Sequence, residues 1–140
     1  MKRTGIWLDK KKAHVVTFYD DKESFNTILS NVESFNIHGG SGSKFKGGPQ
    51  DVVQDSKYLE REKHQLRKYF ETIISEIKDV DTIVLFGPAE TREKFYRLLS
   101  DNYADLKNKV KEIIKADSMT KRQVKAWVRE FYNIKKVQSL

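Results

Sequence analysis

The chain has 140 residues, a formal net charge of +7 and no cysteine. Its length suits one domain that buries most of its apolar surface, and the lack of thiols excludes disulfides, thiolate zinc sites and a cysteine nucleophile. Met1 to Trp7 is too short for the apolar core of a signal peptide, and no stretch approaches the roughly 18 to 20 apolar residues that span a bilayer, so a soluble cytoplasmic protein is expected. The charge excess lies at one end: residues 107–140 hold 10 Lys and Arg against 3 Asp and Glu, leaving the remainder balanced at 17 of each. That asymmetry suggests a polyanionic partner, nucleic acid above all, with a merely solvated lysine-rich surface as the plain alternative.

In chain order, Gly5 to Leu8 and Ala13 to Tyr19 are β-branched and aromatic runs joined by Asp9-Lys-Lys-Lys12, which predicts a hairpin. A third strand is expected over Glu23 to His38, where Phe25, Thr27 and Leu29 alternate with polar neighbours, as do Glu33, Phe35 and Ile37, with a break near Asn31. His38 to Asp51 holds five of the seven glycines together with Ser41, Ser43, Lys44 and Lys46. Such a composition has little to bury and predicts a mobile, cationic loop, the first place to look for function. Leu59, Leu66, Phe70, Ile73 and Ile77 then recur at helical spacing, with Tyr69 and Ile74 widening the stripe and Arg61, Lys63, His64, Arg67 and Lys68 on the other face.

Thr82 to Phe86 is a continuous apolar run, as in a strand buried on both faces, and Gly87-Pro88 breaks it. A second helix is expected from about Glu90 with Phe95, Leu98 and Leu99 buried, then a strand through Val110, Ile113 and Ile114. Thr120 reads as the N-cap of a last helix with Val124, Trp127, Val128 and Phe131 on one side. On a helical wheel Arg122, Lys125 and Arg129 gather opposite, with Lys121 at their edge, and this stripe is the second candidate for contact with polyanions. The order βββ, loop, αβαβα predicts a single α/β domain over residues 1–140, a mixed sheet of ribonuclease H-like architecture.

Enzymatic motifs fare poorly. A two-metal nuclease of this architecture needs converging carboxylates. Asp9 and Glu62 could supply two, but the fourth strand ends in Phe86-Gly87-Pro88 without an acid. His14, His38 and His64 have no metal-ligand spacing, and neither a metal nor a cofactor is expected. Gly39-Gly40-Ser41-Gly42-Ser43 lacks the Gly-Lys-Ser/Thr ending of a P-loop and the setting of a dinucleotide fingerprint. Ser41 and Ser43 have no histidine and carboxylate partners in evident spacing.

The succession of hairpin, third strand, glycine-rich loop, long basic-faced helix and Ile83-Val84-Leu85-Phe86-Gly87-Pro88 resembles the central domain of eukaryotic and archaeal class I peptide-chain release factors and their Pelota relatives. Nearly the whole chain is also similar to a small bacterial family of translational machinery proteins related to that domain. The matching segments are Gly5-Ile6-Trp7-Leu8-Asp9, Gly39-Gly40-Ser41, Gly48-Pro49-Gln50-Asp51-Val52, Phe86-Gly87-Pro88-Ala89-Glu90 and residues 117–123.

The resemblance implies a ribosome-associated or RNA-binding protein acting in translation, ribosome rescue or ribosome protection. Its RNA contacts would be Gly39, Gly40, Ser41, Ser43, Lys44, Lys46, Gly47, Gly48 and Pro49, with Arg122, Lys125 and Arg129 on the last helix. In release factors the loop carries Gly-Gly-Gln and serves peptidyl-tRNA hydrolysis. The nearest match here is Gly47-Gly48-Pro49-Gln50, which makes Gln50 the candidate catalytic residue of a peptidyl-tRNA hydrolase. Pro49 removes one N–H donor and fixes φ near −65°, so binding without hydrolysis is the main expectation. A protein-interaction domain is the third reading, and salt dependence separates it from RNA binding. The expected partner is the ribosome or structured RNA, with no membrane and no DNA; the sequence leaves the oligomeric state open.

Overall fold

A computed structural model describes residues 1–20, 22–32 and 48–134, giving backbone alone for residues 48–58 and 89. The elements are β1 (Lys2–Leu8), β2 (Lys12–Tyr19), β3 (Lys22–Leu29), α1 (Gly48–Glu76), β4 (Thr82–Gly87), α2 (Ala89–Asn102), α3 (Ala104–Lys107), β5 (Val110–Lys115) and α4 (Lys121–Phe131). They form a five-stranded sheet in the order β3-β2-β1-β4-β5. β1, β2 and β3 pair antiparallel, whereas β4 lies parallel to β1 and β5 parallel to β4. This is the mixed α/β sheet expected, with the one-turn α3 added between α2 and β5.

Each face of the sheet has its own core. Alternation sends Ile6, Leu8, Ala13, Val15, Ile83 and Leu85 to one side, where they meet Leu66, Tyr69, Phe70, Ile73, Ile74 and Ile77 of α1 and Phe95 and Leu99 of α2. The opposite side carries Trp7, Val16, Phe18 and Phe86, covered by Val124 and Val128 of α4. Covering on both faces explains why β4 reads as an unbroken apolar run. Gly5 lets α4 approach closely: a Cβ there would stand 2.4 Å from one Val128 methyl and 2.8 Å from the other. β3 ends at Leu29, and Asn31 takes φ +54°, where the break is expected; the second half of that strand, residues 33–38, lies outside the described residues.

Candidate functional site

The parallel strands end together, at Leu8, Gly87 and Lys115, and the β1–β2 turn and the end of β3 share that side of the sheet. Asp9 builds the turn: its Oδ1 accepts from the amides of Lys11 (2.8 Å) and Lys12 (2.9 Å). Ser30 N–H donates to Lys11 O at 2.9 Å, so the chain leaves β3 for the glycine segment at this end. α1 is tied to the same turn. Tyr69 donates its hydroxyl to Asp9 O at 2.9 Å, and Lys10 pairs with Glu62. Burial, with the Asp9 charge beside it, raises the Tyr69 phenol far above its ordinary range and keeps it a neutral donor. The helix backbone runs on from Glu62 back to Gly48, about 21 Å at 1.5 Å per residue.

Gly39, Gly40, Ser41, Ser43, Lys44, Lys46 and Gly47 lie outside the described residues, as does most of the loop expected over residues 38–51. The end of that expectation needs correcting: Gly48, Pro49, Gln50 and Asp51 are helical backbone, the first turn of α1. The property of Pro49 that argued against a working loop suits a helix start, where no N–H partner exists within the helix and φ near −65° is already helical. Asp9 and Glu62 are occupied by the turn and by Lys10, and no group of three or more His, Asp or Glu side chains converges among the described residues.

At the exit of β4, Gly87 adopts φ +133°, and its carbonyl accepts from Arg92 Nη1 (2.9 Å) and from the Ala116 amide (3.0 Å). Arg92 is only 7% exposed, with Glu93 reaching its Nη2 at 3.4 Å. It braces the corner where β4, β5 and α2 meet. The sequence reading found the Gly-Pro break but missed this arginine; its signal was a cation one turn before Phe95 and Tyr96, on a helix whose neighbouring Thr91 is also buried.

α4 opens with a capping box: Thr120 Oγ1 accepts from Gln123 N at 3.1 Å and Gln123 Oε1 from Thr120 N at 2.8 Å. The basic stripe on this helix differs from the free row the wheel suggests. Lys125 and Arg129 turn onto β3, where both bind Glu23 (3.7 and 2.9 Å), and they lie over the rings of Phe25 and Phe18. The edge of the β2–β3 sheet, which the wheel does not include, supplies that carboxylate and those rings. Arg122 stays exposed. Trp127 is half-buried, its indole stacked on Phe86 at 3.8 Å between centroids.

A larger cationic surface adjoins the loop end. On α1, Lys63, His64, Arg67 and Lys68 are exposed alongside Arg61, and Arg67 makes an ion pair with Glu71 at 3.4 Å. Glu62 of the same segment is drawn to Lys10, which leaves the outward surface of residues 61–68 basic. Their helical spacing marked them as a solvent face, and only the sheet topology brings their helix beside the β1–β2 turn and the end of β3.

The sequence matches no protein-family model and no curated protein. In fold, the chain is similar to Pelota from Thermoplasma acidophilum (TM-score 0.53, 17% identity), over 95% of this chain and 32% of that one. It is similar to Archaeoglobus fulgidus Pelota (TM-score 0.52, 9% identity), over 93% and 34%. An archaeal translation termination factor aligns at a TM-score of 0.44 with 11% identity, over 94% of this chain and 40% of that one. This chain therefore spans about a third of the length of the Pelota structures, and what it shares with them is the fold over that part. Among the described residues no helix is long and apolar enough to cross a membrane.

Proposed function

We propose that this protein acts in translation as a ribosome-associated, RNA-binding domain, meeting RNA with residues 39–50 and the basic outer face of α1. One observation carries the reading: the end of β3, the β1–β2 turn and α1 share one end of a sheet whose fold is that of Pelota, and the cations of residues 61–68 flank it. Lysines there neutralise phosphates, and glycines let backbone approach a ligand closely. Arg122 extends the basic surface on α4, while Lys125 and Arg129 contribute once Glu23 releases them.

The test is co-sedimentation with ribosomal subunits at low and moderate salt. Binding that falls steeply with salt and weakens in a Lys44→Glu/Lys46→Glu and in a Lys63→Glu/Lys68→Glu variant supports the reading; binding insensitive to salt and to both pairs points to a protein partner instead. Release of labelled peptide from stalled ribosomes decides the chemistry. Release by the wild type that is lost in Gln50→Ala establishes hydrolysis, whereas binding without release makes the domain a binding module.

A further inference from the structure

At the pole opposite the β1–β2 turn, a groove of about 840 Å³ opens between the end of α4 and the first residues of β1, β4 and β5. That volume falls within the range of small-ligand sites. Its walls combine three kinds of group. Phe131 and Tyr132 stand on one side, each half-buried, with Trp127 parallel to Phe131 at 5.6 Å. The Tyr132 hydroxyl donates to Thr4 O at 2.9 Å, which fixes that wall to the central strand. Arg3 and Lys111 bring positive charge, and neither has an ion-pair partner among the described residues. Glu112 lines the groove as an exposed carboxylate.

The other charges at the rim are already engaged. Asp81 accepts the Lys2 amide at 2.7 Å, and Lys109 donates to Val80 O at 2.8 Å. Two free cations, one free carboxylate and an aromatic wall fit a ligand with an anionic group, hydroxyl donors and a flat ring. An acidic peptide would satisfy the cations but would set its carboxylates against Glu112 and leave the rings without a stacking partner. A simple inorganic anion would use neither the rings nor Glu112.

We propose that this groove binds a ribonucleotide, its base against Phe131, its phosphate on Arg3 and Lys111 and its ribose hydroxyls donating to Glu112. Aromatic stacking tolerates any base, and paired phosphate contacts are how single strands are commonly held. The same chemistry belongs to a free mononucleotide and to one residue of a single-stranded RNA. The proposal is independent of the reading of residues 39–50, since the groove opens at the end of the sheet opposite the β1–β2 turn.

Isothermal titration of the full chain with AMP, dAMP, a six-residue oligoadenylate and a glutamate hexapeptide tests it, with Trp127 fluorescence as a second readout. The expected result is saturable binding of AMP or the oligoadenylate that weakens at least tenfold in Lys111→Glu and in Phe131→Leu. Glu112→Gln should narrow the difference between AMP and dAMP. Tighter binding of the oligoadenylate than of AMP assigns the groove to a strand, and equal binding assigns it to a mononucleotide. Absence of binding by both at millimolar concentration, equal binding of the glutamate peptide, or affinities unchanged in both variants would overturn the proposal. Lys111 is exposed, so its variant should fold as the wild type does, and thermal melts check Phe131→Leu. Lys111→Glu should leave ribosome co-sedimentation unchanged and Lys44→Glu/Lys46→Glu should leave AMP binding unchanged, which separates failure at one site from failure at the other.

Discussion

Gly87 and Gly5 show how much of this fold rests on single positions. At Gly87, φ +133° already excludes an ordinary side chain, and a Cβ would stand 2.5 Å from Leu8 O, a backbone atom with no room to yield. Gly87→Ala is therefore expected to cost about 3 kcal/mol or more, adding backbone strain to overpacking. Gly5→Ala meets the methyls of Val128, a side chain able to shift, and about 1 to 3 kcal/mol is expected. Urea unfolding of both variants checks the order.

His14 is buried between the rings of Trp7 and Phe25, with Nδ1 2.9 Å from Thr27 Oγ1. Burial first, then the charges of Lys12 and Lys121, hold its imidazole below the usual histidine range. The unfolded chain takes up the proton near its ordinary pKa of about 6.5 while the folded chain resists it. Stability from this group is thus complete above about pH 6.5 and declines as the pH falls through that value, by up to about 1.4 kcal/mol per pH unit. Comparing urea midpoints at pH 7.5 and 5.5 should show the decline, and His14→Phe, which keeps the aromatic stack, should flatten it.

Among the elements, α4 is where sequence and structure part most clearly. Its start at the Thr120 cap and the inward face of Val124 and Val128 were legible, because capping chemistry and 3.6-residue periodicity are local. The fate of Lys125 and Arg129 was not legible, since Glu23 lies more than a hundred residues away in sequence and meets them only after β3 takes its place at the sheet edge. Glu23→Gln is expected to lower stability by less than about 1 kcal/mol, as partly exposed pairs do, and to strengthen binding to a short RNA measured at low salt by freeing two cations. Unchanged RNA affinity would show that those cations face no RNA.

The outer side of α4 carries a second prediction. Trp127 keeps part of its surface in water while stacking on Phe86, so Trp127→Ala should cost about 2 to 3 kcal/mol, less than the roughly 3 to 5 kcal/mol of a fully buried aromatic. A thermal melt decides between them.

At the scale of the whole molecule, the α/β class and each described strand and long helix were readable from local apolar patterns, as alternation, helical spacing or a continuous run. What the sequence left implicit is polarity. The β1–β2 turn and the end of β3 lie at one pole of the sheet and the groove opens at the other, and only the parallel pairing of β1 with β4 establishes which residues share a pole. For the same reason Arg92 and the groove residues escaped notice: they come from separate elements and converge only when the sheet closes. The segment resembling the release-factor loop was conspicuous by composition, whereas the helical backbone at Gly48 to Gln50 shows that the loop ends sooner than its glycine content suggested.

The hydrogen bonds from Tyr132 to Thr4 and from Trp7 to Asp117 join residues 128 and 110 positions apart in sequence. β1 precedes every other described element, yet the face of it that carries Trp7 stays uncovered until α4 has been made. An elongating chain must hold Trp7 and Val16 without their cover for about a hundred further residues, and Phe86 for a few tens. Closure over such distances is slow and comes late, and a chain stopped at Ala116 should remain open to protease where the complete chain resists it. That resistance is expected to arrive when α4 seats Val128 over Gly5.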